Sequence, residues 1–395
     1  MKNPPEDGPT ARRFAPTALM LGNIVTGCSV VAPAGMLSEL SSGLDVTIRD
    51  AGLLITFGAI VLCVGSPLTA WLTSRMERRT LLTATLAVLA LTNLASAFAP
   101  DYSSLLVIRM SMLAVGALYT PQAAGTAALI VTAEKRGSTI AYIFLGWSLA
   151  AAVGLPLITF IASRYGWRMV YGSIGLVGCL SFILLMWRLP RGLVGAPVDL
   201  KTWADVGRNR LIILLLSITT LQMSGQFVVF TFMGPLLAKL THATPDAVAL
   251  VFMIYGVFGF IGIAIATRIV DSWGPYKSSL LFTALILAGV TGWALSAGIH
   301  PLMACSVAIW GLGFASTNSM QQVRLVSAAP ALAPASVSLN TSVLYIGQAV
   351  GSAIGGILYA HDLLHGVGYV GVGFVVLAVI TVILTKPRRV LGPEG

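Results

Sequence analysis

The sequence predicts an all-α membrane protein: twelve transmembrane helices in two six-helix bundles, with both termini in the cytoplasm. Three observations predict it. Twelve long apolar segments follow one another along 395 residues, basic residues cluster in alternate gaps between them, and one long polar connection divides them six and six. The segments cover residues 14–38, 50–73, 80–99, 102–131, 138–162, 167–188, 210–238, 246–270, 277–298, 300–326, 336–360 and 366–385. Each supplies roughly the 17–25 apolar residues that carry a helix across a hydrocarbon core about 30 Å thick.

Composition agrees with this reading. The chain is 56% hydrophobic and 10% charged, with mean hydropathy +0.89, whereas soluble domains carry about 25% charged residues. Backbone polar groups cannot stay unpaired in lipid, so each segment is a helix or part of a closed barrel. The apolar runs are continuous rather than alternating, which excludes the barrel.

Taken in order, residues 1–13 form a polar cytoplasmic tail with Lys2, Arg12 and Arg13. The apolar stretch that follows is too long for a signal-peptide core, so segment 1 is retained. Residues 14–188 make the first bundle, 189–209 a basic cytoplasmic linker containing Pro190 and Pro197, 210–385 the second bundle, and 386–395 a cytoplasmic tail. A short amphipathic piece around Leu200–Val206 is expected to lie along the membrane surface. Nineteen of the 24 basic residues fall on the cytoplasmic side in this arrangement, Arg324 among them. The opposite side carries Arg49, Arg164, Arg168 and Lys239, and Arg109 lies inside segment 4. A bias of that size sets orientation. The net charge of +10 is therefore a topology signal, and its scatter over separate loops argues against nucleic acid as a partner.

Cys28, Cys63, Cys179 and Cys305 lie in apolar segments without paired or metal-type spacing, so they read as small packing residues. No phosphate-cradling Gly-Lys loop, metal cluster or nucleophile–base pair stands out, and no cofactor or enzymatic activity is expected.

Two cytoplasmic turns repeat between the halves. After segment 2 the chain reads Ala70-Trp71-Leu72-Thr73-Ser74-Arg75-Met76-Glu77-Arg78-Arg79, and after segment 8 it reads Thr267-Arg268-Ile269-Val270-Asp271-Ser272-Trp273-Gly274-Pro275-Tyr276-Lys277. Asp271 has the chemistry to cap the next helix, and Gly274 permits a tight turn. Segment 5 carries Gly146-Trp147-Ser148-Leu149-Ala150, Gly154-Leu155-Pro156 and Gly166-Trp167-Arg168; segment 11 carries Ser338-Leu339-Asn340 and Gly347-Gln348-Ala349-Val350-Gly351.

With these runs and Arg109, the chain resembles the major facilitator superfamily, and within it the arabinose-efflux-like permeases of the drug:proton antiporter branch. The resemblance implies two bundles that rock about a central site. It also implies gating roles for Arg75, Arg78, Asp271 and Gly274 in the turns, and for Gly154 and Pro156 in segment 5. Ser74 and Glu77 depart from the family's turn, which has Asp and Gly there. The resemblance links Arg109 to proton coupling.

Residue chemistry adds its own candidates. A charge in mid-membrane costs several kcal/mol unless it meets water or a partner. Two readings of Arg109 stay open: a long side chain reaching the outer headgroups, or a cation lining a cavity. The family's acid in the middle of segment 1 is replaced by Val30, which leaves Glu39 and Asp50, near the outer ends of segments 1 and 2, as proton-carrying candidates. Amides are costly in lipid and so face water or one another. Asn23 on segment 1, Gln222 and Gln226 with Phe230 on segment 7, Trp310 and Gln321 on segment 10, and Asn340 on segment 11 are the candidate substrate-binding residues, together with Arg109. Interhelical bonding is the competing role for each amide. Gly347, Gly351 and Gly355 share a face of segment 11 on which another helix can approach closely.

The expected function is secondary active transport: efflux of a small organic solute (sugar, drug or metabolite) by alternating access, with protons as the coupling ion. The lack of a mid-membrane acid favours neutral, amphiphilic or anionic solutes over cationic ones. A facilitator or uptake symporter of the same fold, and a transport-dead receptor or scaffold, are the alternatives. The protein is expected to sit in the cell inner membrane, in contact with the lipid bilayer, and one copy suffices to enclose the pathway.

Overall fold

The computed structural model describes residues 9–73, 75–132, 136–194, 205–329 and 332–386, apart from the side chains of 9–13, 70, 128, 136–138, 141, 271, 333–335 and 338. Among the described residues, eleven helical spans are long and apolar enough to cross a membrane. The remaining crossing, segment 10, is the 29-residue helix His300–Ala328. It carries more polar residues, among them Ser316, Thr317, Asn318, Gln321 and Arg324. Its polarity already marks it as an interior helix.

Segment 1 is Pro9–Gly35, followed by a short helix Leu37–Gly43. The expected single run to residue 38 is broken at Met36, just beyond Pro33 and Gly35. Segment 2 is Ile48–Leu72 and segment 3 is Arg78–Ala97. Segment 4 joins Tyr102–Gly116 to Tyr119–Ile130. Segment 5 runs Arg136–Leu149, a π turn Ala150–Gly154, then Leu155–Tyr165; segment 6 is Trp167–Arg188. Segment 7 joins Arg210–Phe230 to Met233–Thr241, a break where Pro235 prevents a continuous ladder. Segments 8 and 9 lie within Pro245–Leu295 as two helices separated by a turn at Gly274, where φ is +77°. Segments 11 and 12 are Ala333–Ala360 and Leu364–Leu384. Twelve crossings return the chain to the face from which it set out.

Short polar residues start these helices. Thr47 accepts the Asp50 amide at 3.0 Å while its hydroxyl donates to the Asp50 carboxylate at 2.7 Å, a reciprocal cap on segment 2. Asp101 accepts the Ser104 amide at 2.8 Å at the start of segment 4. Asn209 accepts two amides at the start of segment 7, those of Leu211 at 3.1 Å and Ile212 at 3.2 Å.

The six-helix packing scheme occurs twice. Segment 1 packs on 5 and 6, and segment 3 on 6; segment 7 packs on 11 and 12, and segment 9 on 12. The bundles meet along two matched seams, segment 2 on 11 and segment 5 on 8. Gly347, Gly351 and Gly355 lie directly against the main-chain carbonyls of Thr220, Ser224 and Val228, so segments 7 and 11 touch backbone to backbone.

Most of the expected amphipathic piece, the middle of the linker and the ends of both tails lie outside the described residues.

Candidate functional site

Arg109 is buried, with 1% of its surface exposed. Its Nε donates to the Leu54 carbonyl at 2.9 Å, Nη1 to the Ser29 carbonyl at 3.0 Å and Nη2 to the Val30 carbonyl at 2.9 Å. The reason lies four residues along segment 1. Pro33 has no N–H, so the Ser29 carbonyl loses the donor that a helix would give it. The guanidinium supplies that donor and ties segment 4 to segments 1 and 2. All three of these partners are main-chain oxygens.

The other amides are bonded between helices. Asn23 Nδ2 donates to the Ile143 carbonyl at 3.0 Å, and its Oδ1 accepts the Thr120 hydroxyl at 2.6 Å. Trp147 Nε1 donates to the same Thr120 oxygen at 3.0 Å, closing a chain across segments 1, 4 and 5. In the second bundle, Gln222 Nε2 donates to Thr283 at 2.7 Å, and Gln226 Oε1 accepts the Trp310 indole N–H at 2.8 Å. Asn340 Oδ1 accepts the Thr219 hydroxyl at 2.7 Å, and its Nδ2 donates to Asn318 Oδ1 at 3.0 Å. Gln321 Nε2 donates to the Leu215 carbonyl at 3.0 Å. Segments 7, 9, 10 and 11 are thus joined by several polar contacts.

Beside them stands an aromatic cluster. Phe230 lies 5.1 Å from Tyr255, 5.8 Å from Phe252 and 6.4 Å from Trp310 by ring centroids, and Tyr255 also meets Phe314 at 5.2 Å. Of the candidate binding residues, Gln226, Phe230 and Trp310 meet where segments 7 and 10 pack, while Gln222 and Gln321 lie further along the same two helices. Asn340 joins segment 7 through Thr219, while Asn23 and Arg109 belong to the other bundle.

Two arginines depart from the charge count. Arg324, counted among the cytoplasmic-side charges, lies within segment 10, four residues before its end at Ala328, with 6% exposure. Its Nη1 donates to Ser279 at 3.3 Å and Gln321 Oε1 at 3.1 Å, and its Nη2 reaches the Thr385 hydroxyl at 2.6 Å. Arg78, at the first residue of segment 3, donates to Gln122 Oε1 on segment 4 and is 7% exposed. Arg109 is therefore one of three buried arginines among the described residues. Arg75 is exposed, and Gly274 forms the turn between segments 8 and 9. The Asp271 side chain lies outside the described residues.

Gly154 closes the π turn of segment 5, and Pro156 follows in the next helix. Across the seam, Gly256 of segment 8 faces the backbone of that turn: a Cβ there would come within 2.5 Å of the Ala152 nitrogen and 2.7 Å of the Ala151 carbonyl carbon. On the other seam, buried Thr56 of segment 2 donates to Ser352 of segment 11 at 3.0 Å. Toward the face opposite the termini, Gly52 abuts the Phe232 ring, and Arg164 pairs with Asp246 at 3.3 Å. The bundles are closed together on that face.

The carboxylate candidates sit apart from Arg109's three carbonyl partners. Asp50 is committed to the Thr47 cap. Glu39, in the short helix after segment 1, is partly buried, and that burial pushes its carboxyl above the usual carboxylate range. The Glu39 sign is definite: its contribution to stability is complete below the unfolded pKa and is lost as pH rises through the raised folded value. Glu39→Gln should flatten this part of the pH–stability curve, measured as melting temperature between pH 4 and 8; an unchanged slope would count against burial as the cause.

Sequence reasoning missed Thr120, Thr219, Thr283, Asn318 and Tyr255. For the Arg109 site a signal was present, since Pro33 marks Ser29 as a carbonyl in need of a donor.

Matched bundles of membrane-crossing helices, joined by seams of small residues around polar interior walls, make up a multi-pass membrane transporter rather than an enzyme. The family model of the Major Facilitator Superfamily matches residues 19–352, and the chain belongs to that superfamily. It is 32% identical over 383 residues to the "Inner membrane transport protein YdhP" of Escherichia coli (strain K12), covering 95% of this chain and 96% of that one. It is 26% identical over 353 residues to a "Probable sugar efflux transporter" of Mannheimia succiniciproducens, covering 89% and 88%. Among solved structures it resembles a D-xylose-proton symporter, with TM-score 0.74, 17% identity, and 95% and 98% coverage. The nucleoside transporter NupG gives TM-score 0.75 at 10% identity, with 94% and 100% coverage. At those identities the structures establish the fold alone. The protein is a multi-pass protein of the cell inner membrane.

Proposed function

We propose that this transporter exports a small, neutral, polar organic solute of the sugar class by alternating access, in exchange for protons. It works as a monomer, with both termini in the cytoplasm. The observation that carries the reading is the contact of segments 7 and 10, where Gln226 stands beside Phe230 and Trp310 and the further amides Gln222 and Gln321 lie along the same two helices. Amides match hydroxyl donors and acceptors, and aromatic faces match the apolar faces of a sugar ring. The fourteen acidic residues all lie outside the middle of the segments, which disfavours lipophilic cations. The relatives named as probable sugar efflux transporters support the same class and direction.

Of the proton candidates, Glu39 fits best, because it is partly buried and its carboxyl is raised, whereas Asp50 is engaged at a helix cap. The test is transport of radiolabelled sugars by inverted membrane vesicles under an imposed pH gradient. Glu39→Gln should abolish gradient-driven accumulation while leaving equilibration down the sugar gradient. Asp50→Asn should retain both. If Glu39→Gln accumulates sugar as the parent does, coupling through Glu39 is wrong.

A facilitator without proton exchange is the second reading, favoured by Arg109 bonding to carbonyls rather than to an acid. Under it, the unmodified protein equilibrates the solute and ignores the pH gradient.

A further inference from the structure

Segments 3 and 6 end side by side on the termini face, where a groove of about 580 Å³ opens between Glu77, Arg79, Thr80, Thr83, Met186, Trp187 and Arg191. Both Glu77 oxygens are already occupied, one by the Thr80 hydroxyl at 2.7 Å and the other by the Gly192 amide at 2.6 Å. Those bonds hold the Glu77 carboxyl below the usual range and fix it as an anion. Two guanidinium groups against one carboxylate leave the groove positive. Arg79 also donates to the Met186 carbonyl, which anchors it at the end of segment 6.

A second feature leads out of the groove. Leu176, Leu180, Ile183 and Trp187 recur every three or four residues on segment 6, and all are exposed, Trp187 by 71%. In a membrane that stripe faces acyl chains, and it ends in a tryptophan at headgroup level, directly beside the two arginines. Charge and stripe together define a ligand with an anionic head and apolar tails.

We propose that the groove between segments 3 and 6 is a binding site for an anionic phospholipid, with its phosphate at Arg79 and Arg191 and its chains along the Leu176–Trp187 stripe. Trp187 lies between the two parts and marks the depth at which the headgroup is held. A basic group near an anionic headgroup contributes about 1 kcal/mol, so each arginine sets roughly a fivefold preference over a zwitterionic lipid.

The test is native mass spectrometry and thermal melting of the full-length protein in neutral detergent, titrated with phosphatidylglycerol, with phosphatidylcholine of the same chains, and with glycerol phosphate. The expected result is tighter binding and a higher melting temperature with phosphatidylglycerol, and no effect of glycerol phosphate at equal concentration. Arg191→Gln, an exposed position beyond the helix end, should reduce the preference about fivefold, and Arg79→Gln with Arg191→Gln should remove it. Equal binding of the two lipids, an undiminished preference in both variants, or stabilisation by glycerol phosphate alone would each overturn the proposal.

Discussion

Arg109→Leu is expected to lower stability by about 2 kcal/mol and to abolish most transport. Removing the guanidinium orphans the Ser29 carbonyl outright, because Pro33 cannot replace the lost donor. A buried acceptor left unsatisfied costs roughly 1–3 kcal/mol. The Val30 and Leu54 carbonyls keep the helical N–H groups of Ala34 and Gly58, so their loss is smaller. The diagnostic experiment is a double-mutant cycle. Pro33→Ala restores an N–H opposite Ser29, so it should recover about 1 kcal/mol in the Arg109→Leu background and little in the parent. Melting in detergent reads the stability, and vesicle transport reads the activity. Additive effects of the two substitutions would refute the link between Pro33 and Arg109.

Gly256→Leu is expected to cut transport at least tenfold while leaving the protein folded. The glycine meets the backbone of the π turn at Ala151 and Ala152, and backbone cannot move aside as a flexible side chain does. Overpacking of this kind costs roughly 1–3 kcal/mol. Spent on one of two exchanging states, that energy shifts their ratio by about 5- to 150-fold. Here the disfavoured state is the one in which segments 5 and 8 close the face opposite the termini. Spin labels at positions 164 and 246, where an ion pair now spans 3.3 Å, should report a longer distance in the variant. Gly125→Leu is the control, since a Cβ there meets nothing within 4 Å. If the Gly256 variant keeps both its distance and its transport, the contact has no gating role.

The membrane fold was legible in the sequence because hydropathy and positive charge act over whole segments. A single substitution barely alters either signal. What escaped was decided by single atoms. Arg324 counts as one more cytoplasmic-side charge at the end of segment 10, yet Thr385, Ser279 and Gln321 enclose it. Thr219 and Thr283 look like ordinary helical threonines until Asn340 and Gln222 are found bonded to them. Asp50 is a proton-carrying candidate by its place near the outer end of segment 2, and only its contact with Thr47 shows that it forms a reciprocal helix cap. Gly154 and Pro156 single out segment 5, where the π turn Ala150–Gly154 lies, but the counterpart of that turn, Gly256, is about a hundred residues away in sequence. Amides and arginine were identifiable by their cost in lipid. Their partners depend on which helices become neighbours, and that is a property of the whole assembly.

The carbonyl cradle of Arg109 has an electrical consequence. Moving one elementary charge across a 100 mV membrane potential takes about 2.3 kcal/mol. Arg109 is fastened to segments 1, 2 and 4, all within one bundle, so its charge travels as a fixed part of that bundle and is not handed from one side to the other. A tilting bundle carries such a charge through only a fraction of the field. The conformational exchange of the unloaded protein should accordingly be close to electrically silent, and any current measured during turnover belongs to the ions and solute that cross.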